Sequence, residues 1–287
     1  MAFKNNKWIL LAVLALIWGS SFILMKRGLV GLSAFQLGSL RIIFCTLFLF
    51  AIGFRSLVKI PSTHWKHITL TALFGTFLPV YLFAYAQTGI HSSVSAILNS
   101  LTPLSTLAIG SLIFGLGFQR RQLLGVIIGL SGCVLLIYSG SAEGGGANAY
   151  ALLVVLASAC YATNINLIKK YLTGIPPLSI TTGNFAVMVI PAFAILLFSG
   201  FADVATQAKA HTSMAYVAIL AVLGTGIANI IYFRLIQIAS PIFASSVTYL
   251  IPVVACGWGL LDGEVLLPGQ AIGAAVILAG VYFSARK

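Results

Sequence analysis

Gln122-Leu123-Leu124-Gly125 returns as Gln270-Ala271-Ile272-Gly273, 148 residues further along the chain, and Gly132 returns as Gly280 at the same spacing. Working outward, Gly75-Thr76 matches Gly224-Thr225 and Pro103 matches Pro252, both at 149. Nearer the N-terminus, Trp18-Gly19-Ser20-Ser21 matches Tyr161-Ala162-Thr163-Asn164, and Lys26-Arg27 matches Lys169-Lys170, both at 143. The drift from 143 to 149 needs only loop insertions. Self-similarity at a fixed period marks structural repeats, here residues 1–142 and 147–287.

What the repeats are made of follows from composition. The 287 residues are 60% hydrophobic and only 7% charged, with sixteen Lys and Arg against four Asp and Glu, a formal charge of +12. A soluble domain carries about 25% charge, so a water-facing surface is excluded. Disorder needs low hydrophobicity and collagen a strict Gly period; neither fits. Nucleic-acid binding would gather the basic residues with aromatics on a polar face, and they are not gathered. A polytopic membrane protein remains. A spanning helix needs ~20 mostly apolar residues. Ten stretches qualify, roughly 8–26, 33–54, 66–88, 91–114, 121–139, 147–168, 177–199, 213–237, 241–261 and 268–284. The first is read as a retained helix, since its apolar run from Trp8 to Met25 exceeds a signal-peptide core. Cys45, Cys133, Cys160 and Cys256 all fall inside spans, as small buried hydrophobes rather than a disulfide or metal framework.

Charge sets the orientation. With the N-terminus inside, Lys4, Lys7, Arg55, Lys59, Lys66, Arg120, Arg121, Lys169, Lys170, Arg234, Arg286 and Lys287 all face the cytoplasm. Lys26, Arg27 and Lys209 face out with all four acids, Glu143, Asp203, Asp262 and Glu264. That bias is the positive-inside rule, and it puts both termini in the cytoplasm with an even number of spans. Five spans per half is odd, so the second half enters from the opposite face. The expected fold is an all-α integral membrane protein with ten transmembrane helices in two inverted five-helix repeats. Inverted repeats place a substrate site near the midplane, at the interface of the halves. Inversion also explains why Lys26-Arg27, equivalent to Lys169-Lys170, sits on the other side.

The ordered set of Trp18-Gly19-Ser20-Ser21-Phe22, Arg41, Pro103, Pro252, Gly263-Glu264, Pro268-Gly269-Gln270-Ala271-Ile272-Gly273 and Gly280 resembles the EamA-type members of the drug/metabolite transporter superfamily. The resemblance covers essentially the whole chain. It implies ten helices, both termini inside, and transport of small metabolites, often export. One departure is visible: the Gly-Glu at the junction of the last two helices survives as Gly263-Glu264, while the first half has Gly115-Leu116.

Polar residues inside spans are the natural functional candidates. Trp18 lies ten residues beyond Trp8, roughly 15 Å deep at helical rise, and Tyr161 is its repeat mate. The two read as paired aromatic walls of a cavity, with Ser21 beside them, or as packing residues with a bonded polar edge. Asn164 and Asn229 are favoured to line the cavity, Asn166 and Asn184 to bond between helices. Asn99, Ser100, Thr102 and Pro103 correspond to Thr248, Tyr249, Ile251 and Pro252. Pro103 and Pro252 either free mid-helix carbonyls for substrate or kink for gating, the kink being favoured. Tyr81 and Tyr85, four apart, share a face. Arg41 is the one charge well inside a span. It could snorkel, bind carbonyls or meet a substrate carboxylate, and a structural role is favoured. No acid lies within any expected span, which argues against a carboxylate proton relay in the core. The Gly125/Gly129 and Gly269/Gly273 stripes read as close helix contacts between the halves or at a dimer face. Gly144–Gly146 reads as a flexible connector.

Three function classes compete. An integral membrane enzyme on lipid-linked substrates needs clustered acids, metal ligands or a nucleophile set; His64, His67, His91 and His211 are scattered and the only acid pair is Asp262 with Glu264. A channel wants a charged ring or carbonyl filter. The favoured class is a secondary transporter working by alternating access. Its cavity is expected between spans one, three, four, six, eight and nine, with substrate contacts from Trp18, Ser21, Tyr81, Tyr85, Asn99, Tyr161, Asn164, Asn229 and Tyr249, and with Arg41, Pro103 and Pro252 in gating or structural roles. The expected partners are a small neutral or zwitterionic substrate such as an amino acid and the lipids of a bacterial inner membrane, with no nucleic acid, metal or cofactor, as a monomer or homodimer.

Overall fold

The first two long helices begin where the sequence offers a side-chain cap. Asn6 accepts from the Trp8 amide at 3.1 Å and starts α1 (Lys7–Gly28). Ser33 and Gln36 form a capping box at α2 (Ala34–Gly53), with Gln36 N to Ser33 Oγ at 3.3 Å and Ser33 N to Gln36 Oε1 at 2.9 Å. The computed structural model describes residues 6–115, 120–140, 147–239 and 241–285. Lys4, Leu116, Glu143, the Gly144–Gly146 connector, Arg286 and Lys287 lie outside the described residues. The remaining α-helices are α3 (Trp65–Ala72), α4 (Leu78–Ala86), α5 (Ser92–Asn99), α6 (Thr102–Leu112), α7 (Arg120–Gly140), α8 (Ala147–Tyr171), α9 (Pro177–Phe198), the short α10 (Phe201–Val204), α11 (Ala208–Ile219), α12 (Ala228–Ile238), α13 (Pro241–Ser245), α14 (Val247–Leu261) and α15 (Pro268–Ala285). No strand occurs among the described residues.

Among the described residues, eight stretches are long and apolar enough to cross a membrane: Lys7–Gly28, Ala34–Lys59, Ser62–Ala86, Ser92–Leu112, Ala149–Tyr171, Pro177–Phe198, Ala208–Ile238 and Phe243–Leu261. The expected fifth and tenth spans fall on α7 and α15, with described apolar stretches at Leu124–Leu136 and Pro268–Gly280.

Two irregularities repeat. A π-helical segment, Leu73–Phe77, joins α3 to α4, and another, Leu220–Ile227, joins α11 to α12. Each contains a Gly-Thr pair, Gly75-Thr76 or Gly224-Thr225. The i→i+5 pattern of such segments is found frequently at functional sites. The other irregularity is a break. The fourth expected span is two helices, α5 and α6, separated at Ser100-Leu101, and the ninth is α13 and α14, separated at Ser246. This corrects the expectation for Pro103. It sits in the first turn of α6, where a missing amide costs nothing, and kinks no helix. Pro252 does lie inside α14.

The glycine stripes pack α7 against α15. A Cβ on Gly132 would come 2.9 Å from the Gly273 carbonyl oxygen, and one on Gly280 would come 2.6 Å from that of Gly125. Each contact is the other moved by 148 residues. Elsewhere α2 packs on α9, α1 on α14 and α8 on α6. Cys45, Cys133 and Cys160 are buried and Cys256 half-buried, all as free thiols.

Candidate functional site

Helices α1, α2, α4, α5, α6, α8, α12 and α14, together with the two π segments, surround a cavity of about 790 Å3, counting solvent at its mouth. Its wall combines Trp18, Phe83, Tyr161 and Tyr232 with Asn99, Asn164, Asn229, Thr76, Thr102, Thr225 and Thr248. No Asp or Glu is among the lining residues, and Arg41 is their one charge.

The two halves meet across this space in reciprocal contacts. Trp18 stands edge-on to Tyr232, with ring centroids 4.8 Å apart, and Tyr161 stacks on Phe83 at 5.8 Å. Tyr161 is Trp18 plus 143 and Tyr232 is Phe83 plus 149, so one pair is the other with the halves exchanged. The glycines repeat the pattern. A side chain on Gly75 would strike the Asn164 amide, and one on Gly224 would meet Ser21 Oγ at 2.5 Å. Only glycine leaves room for these side chains against the opposite backbone, and the same exchange of halves relates the two approaches. Trp18 is fixed by its indole Nε1, which donates to the Gly224 carbonyl at 2.9 Å. Arg41 Nε donates to Thr225 Oγ1 at 2.7 Å, and that hydroxyl donates to the Leu220 carbonyl at 3.2 Å. Both anchors lie on the π segment, which therefore sets the shape of the wall.

At one end of the bundle, charge closes the structure. Glu264 lies in the turn between α14 and α15 and is 5% exposed. Lys26 Nζ at the end of α1 donates to its Oε1 at 2.8 Å. The Ser92 hydroxyl donates to Oε1 at 2.7 Å, the Ser92 amide at 3.2 Å, and the Ser93 amide to Oε2 at 3.1 Å. The Ser93 hydroxyl also bonds Oε2. A carboxylate thus fills the donors that open α5. Burial works against its charge, yet the bonds from Lys26, Ser92 and Ser93 outweigh burial and hold the carboxyl down at about 2. Asp262 pairs with Lys26 at 2.6 Å and with Arg27. The basic pair that looked misplaced for orientation is thus paired with acids. Its repeat mate Lys169 instead donates to carbonyls at the end of α12, at 2.9 Å to Ala239 and 3.4 Å to Ile236 and Gln237.

Of the residues singled out in the sequence, Trp18, Ser21, Asn99, Tyr161, Asn164, Asn229 and Arg41 line the one cavity. Tyr81, Tyr85 and Tyr249 are not among its lining residues. Tyr81 and Tyr85 do share a face, but it is turned to α2: both rings lie 6.2 Å from Phe35, and the Tyr81 and Ser39 hydroxyls are 2.9 Å apart. Tyr249 packs against the largest hydrophobic core cluster, which draws on α1, α2, α4–α9, α11, α14 and α15. Pro103 and Pro252 are also off the lining. Asn166 bonds the Thr106 and Ala162 carbonyls, and Asn184 pairs with Thr71. Phe83, Tyr232 and Thr225 were not singled out as contacts, although the 149 spacing of Phe83 and Tyr232 was there to be read.

The profile of the EamA-like transporter family matches residues 6–138 and again 148–286. The chain belongs to this family. This EamA-like transporter is 27% identical to an uncharacterized transporter of Archaeoglobus fulgidus, covering 99% of each chain. It is also 27% identical to a probable amino-acid metabolite efflux pump of Salmonella typhimurium, over 99% of this chain and 95% of that one. Similarity to the inner membrane transporter YedA of Escherichia coli K12 is 26% over 94% and 88% of the two chains. One solved crystal structure superposes with a TM-score of 0.70 and covers 98% of both chains at 16% identity, a likeness of fold alone.

Proposed function

We propose that the protein exports amino acids or related small metabolites across a bacterial inner membrane by alternating access. Ten transmembrane helices form two inverted five-helix repeats, residues 1–142 and 147–287, with both termini cytoplasmic. The observation that carries this reading is the reciprocal wall of the cavity: Trp18 on Tyr232 and Tyr161 on Phe83. Two halves that offer each other equivalent surfaces have two arrangements of similar energy, one open to each side, and a ligand between them sees both. Two relatives are named probable amino-acid metabolite efflux pumps, which supports the substrate class and the direction.

In this reading the cluster of Lys26, Arg27, Asp262 and Glu264 latches the outer side by tying α1, α5 and the α14–α15 turn together. Lys169 on the α12 carbonyls is the weaker inner counterpart. Opening outward exchanges the ion pairs for water, opening inward the carbonyl bonds. Substrate rests against Trp18, Ser21, Asn99, Tyr161, Asn164 and Asn229. A cavity without a carboxylate favours a facilitator or exchanger over a core proton relay. The test is flux of a labelled amino-acid and metabolite panel in proteoliposomes. Saturable flux that falls in Trp18→Ala combined with Tyr161→Ala supports the reading; no saturable flux for any compound refutes it.

A further inference from the structure

The protein leaves Arg41 half-engaged. Its side chain lines the cavity and the residue is 7% exposed. Nε donates to Thr225 Oγ1 at 2.7 Å, and among the described residues neither terminal nitrogen makes a hydrogen bond or ion pair. Those two nitrogens form the end of the fork that binds a carboxylate through two parallel bonds. A second polar group in the same wall is also unserved. Asn164, 2% exposed, keeps Oδ1 without a partner, and so does the hydroxyl of Thr76, which adjoins the Gly75 that Asn164 packs against. Buried polar atoms in native proteins are nearly always satisfied. Here a donor pole and an acceptor pole belong to residues that line one cavity.

We infer that the cavity grips an α-amino acid by its head group, with the carboxylate on the terminal nitrogens of Arg41 and the ammonium on Asn164 and Thr76. The inference rests on the transport reading above and gives it a substrate chemistry. The charge count favours a monocarboxylate over a phosphate: the lining has one cation, and a dianion would leave a surplus negative charge in a low-dielectric space. A simple amine fits worse still, because no lining acid balances it and Arg41 stays uncompensated. The side chain is left to the Trp18–Tyr232 and Tyr161–Phe83 pairs, whose flat apolar faces accept several shapes. The head group is therefore the specific element and the side chain the permissive one.

The experiment uses the purified full-length protein and L-phenylalanine, L-leucine and L-threonine, each beside its carboxamide and its decarboxylated amine. Thermal stabilisation reads binding in detergent, and competition against labelled L-phenylalanine counterflow reads it in proteoliposomes. Each acid is expected to act at concentrations at least about 30-fold lower than its amide, the usual scale for losing one side of a buried charge pair. Arg41→Gln is expected to bring the acid down to the amide and leave the amide unchanged. Asn164→Ala is expected to weaken acid and amide together and to spare N-acetyl-L-phenylalanine. Acid and amide acting equally on the wild type, or an acid preference that survives in Arg41→Gln, overturns the assignment. Should Arg41→Gln fail to fold, the wild-type ligand series decides alone. Flux with acid and amide equal leaves a transporter without this head-group site. With no saturable flux of any compound, the transport reading falls, and the thermal-shift series alone decides whether Arg41 binds carboxylates.

Discussion

Glu264→Gln isolates one charge in the Lys26–Asp262–Glu264 cluster while preserving size. The native carboxylate receives Lys26 at 2.8 Å, two donors from Ser92 and two from Ser93. A glutamine keeps one acceptor and turns an amide nitrogen toward these donors. Lys26 is not orphaned, because Asp262 lies 2.6 Å away, so the damage falls on the start of α5. The magnitude follows from the carboxyl, which stands at about 2 against an ordinary 4.5. A difference of about 2.5 at ~1.4 kcal/mol per pH unit is about 3.5 kcal/mol of preference for the charged form in the folded protein. A folded value below the unfolded one stabilises above the unfolded value and is lost as pH falls through the folded one. The wild type should therefore hold its full stability above pH 4.5 and lose this share between pH 4.5 and about 2. Glu264→Gln should melt roughly 5–10 °C lower at neutral pH, and its melting temperature should lack that acid-side fall. Intrinsic tryptophan fluorescence in detergent across pH 3–8 measures both effects. A variant that melts within a degree of the wild type at neutral pH would refute the argument. So would an unchanged acid-side slope.

Gly75→Ala and Gly224→Ala each drive a Cβ into the opposite half, against Asn164 and against Ser21 Oγ at 2.5 Å. Each should lower transport by at least tenfold with membrane expression retained, since ~1–3 kcal/mol of overpacking falls on the surface that must slide. Gly280→Leu should fail to yield folded protein, because its Cβ faces the Gly129 and Gly125 backbone, while Gly257→Ala, with nothing within 4 Å, should leave melting unchanged; size-exclusion profiles separate the two. Trp18→Phe keeps an aromatic ring beside Tyr232 but loses the 2.9 Å bond to the Gly224 carbonyl. It should cost about 1 kcal/mol, seen as a melting shift of a few degrees.

Spacing reached far into the site because it encodes symmetry, and symmetry survives folding. The offsets of 143 and 149 named Trp18 with Tyr161, and the same offsets join Gly75·Asn164 to Gly224·Ser21 in space. What spacing does not encode is which face of a helix turns to which neighbour. Tyr81 and Tyr85 share a face as their separation requires, yet the face meets Phe35 on α2. Nor does it encode where a turn lands. Glu264 looks like a boundary residue in the sequence, and only the fold of the α14–α15 turn carries it under Ser92 and Ser93. The break at Ser100-Leu101 belongs to the same class: an apolar run with a proline reads as one kinked helix, and the structure ends α5 before the proline and starts α6 with it.

Arg41 shows how one compositional fact bears on two questions. The scarcity of acids, four in 287 residues and none in an expected span, argues against a proton relay in the core. The same scarcity leaves Arg41, among the described residues, without a carboxylate partner in a cavity lined by amides, hydroxyls and rings. A buried guanidinium costs several kcal/mol of desolvation, and one neutral hydroxyl offsets only part of it. A ligand that brings its own carboxylate relieves that cost in whichever conformation keeps Arg41 enclosed, and thereby lowers the energy of the closed, loaded state through which both openings must pass. Binding energy of this kind speeds exchange of loaded carrier more than return of empty carrier. The distinguishing kinetic sign is trans-stimulation: amino acid on the far side should accelerate counterflow several-fold in the wild type and lose that effect in Arg41→Gln. Equal acceleration in both would separate Arg41 from the transport cycle.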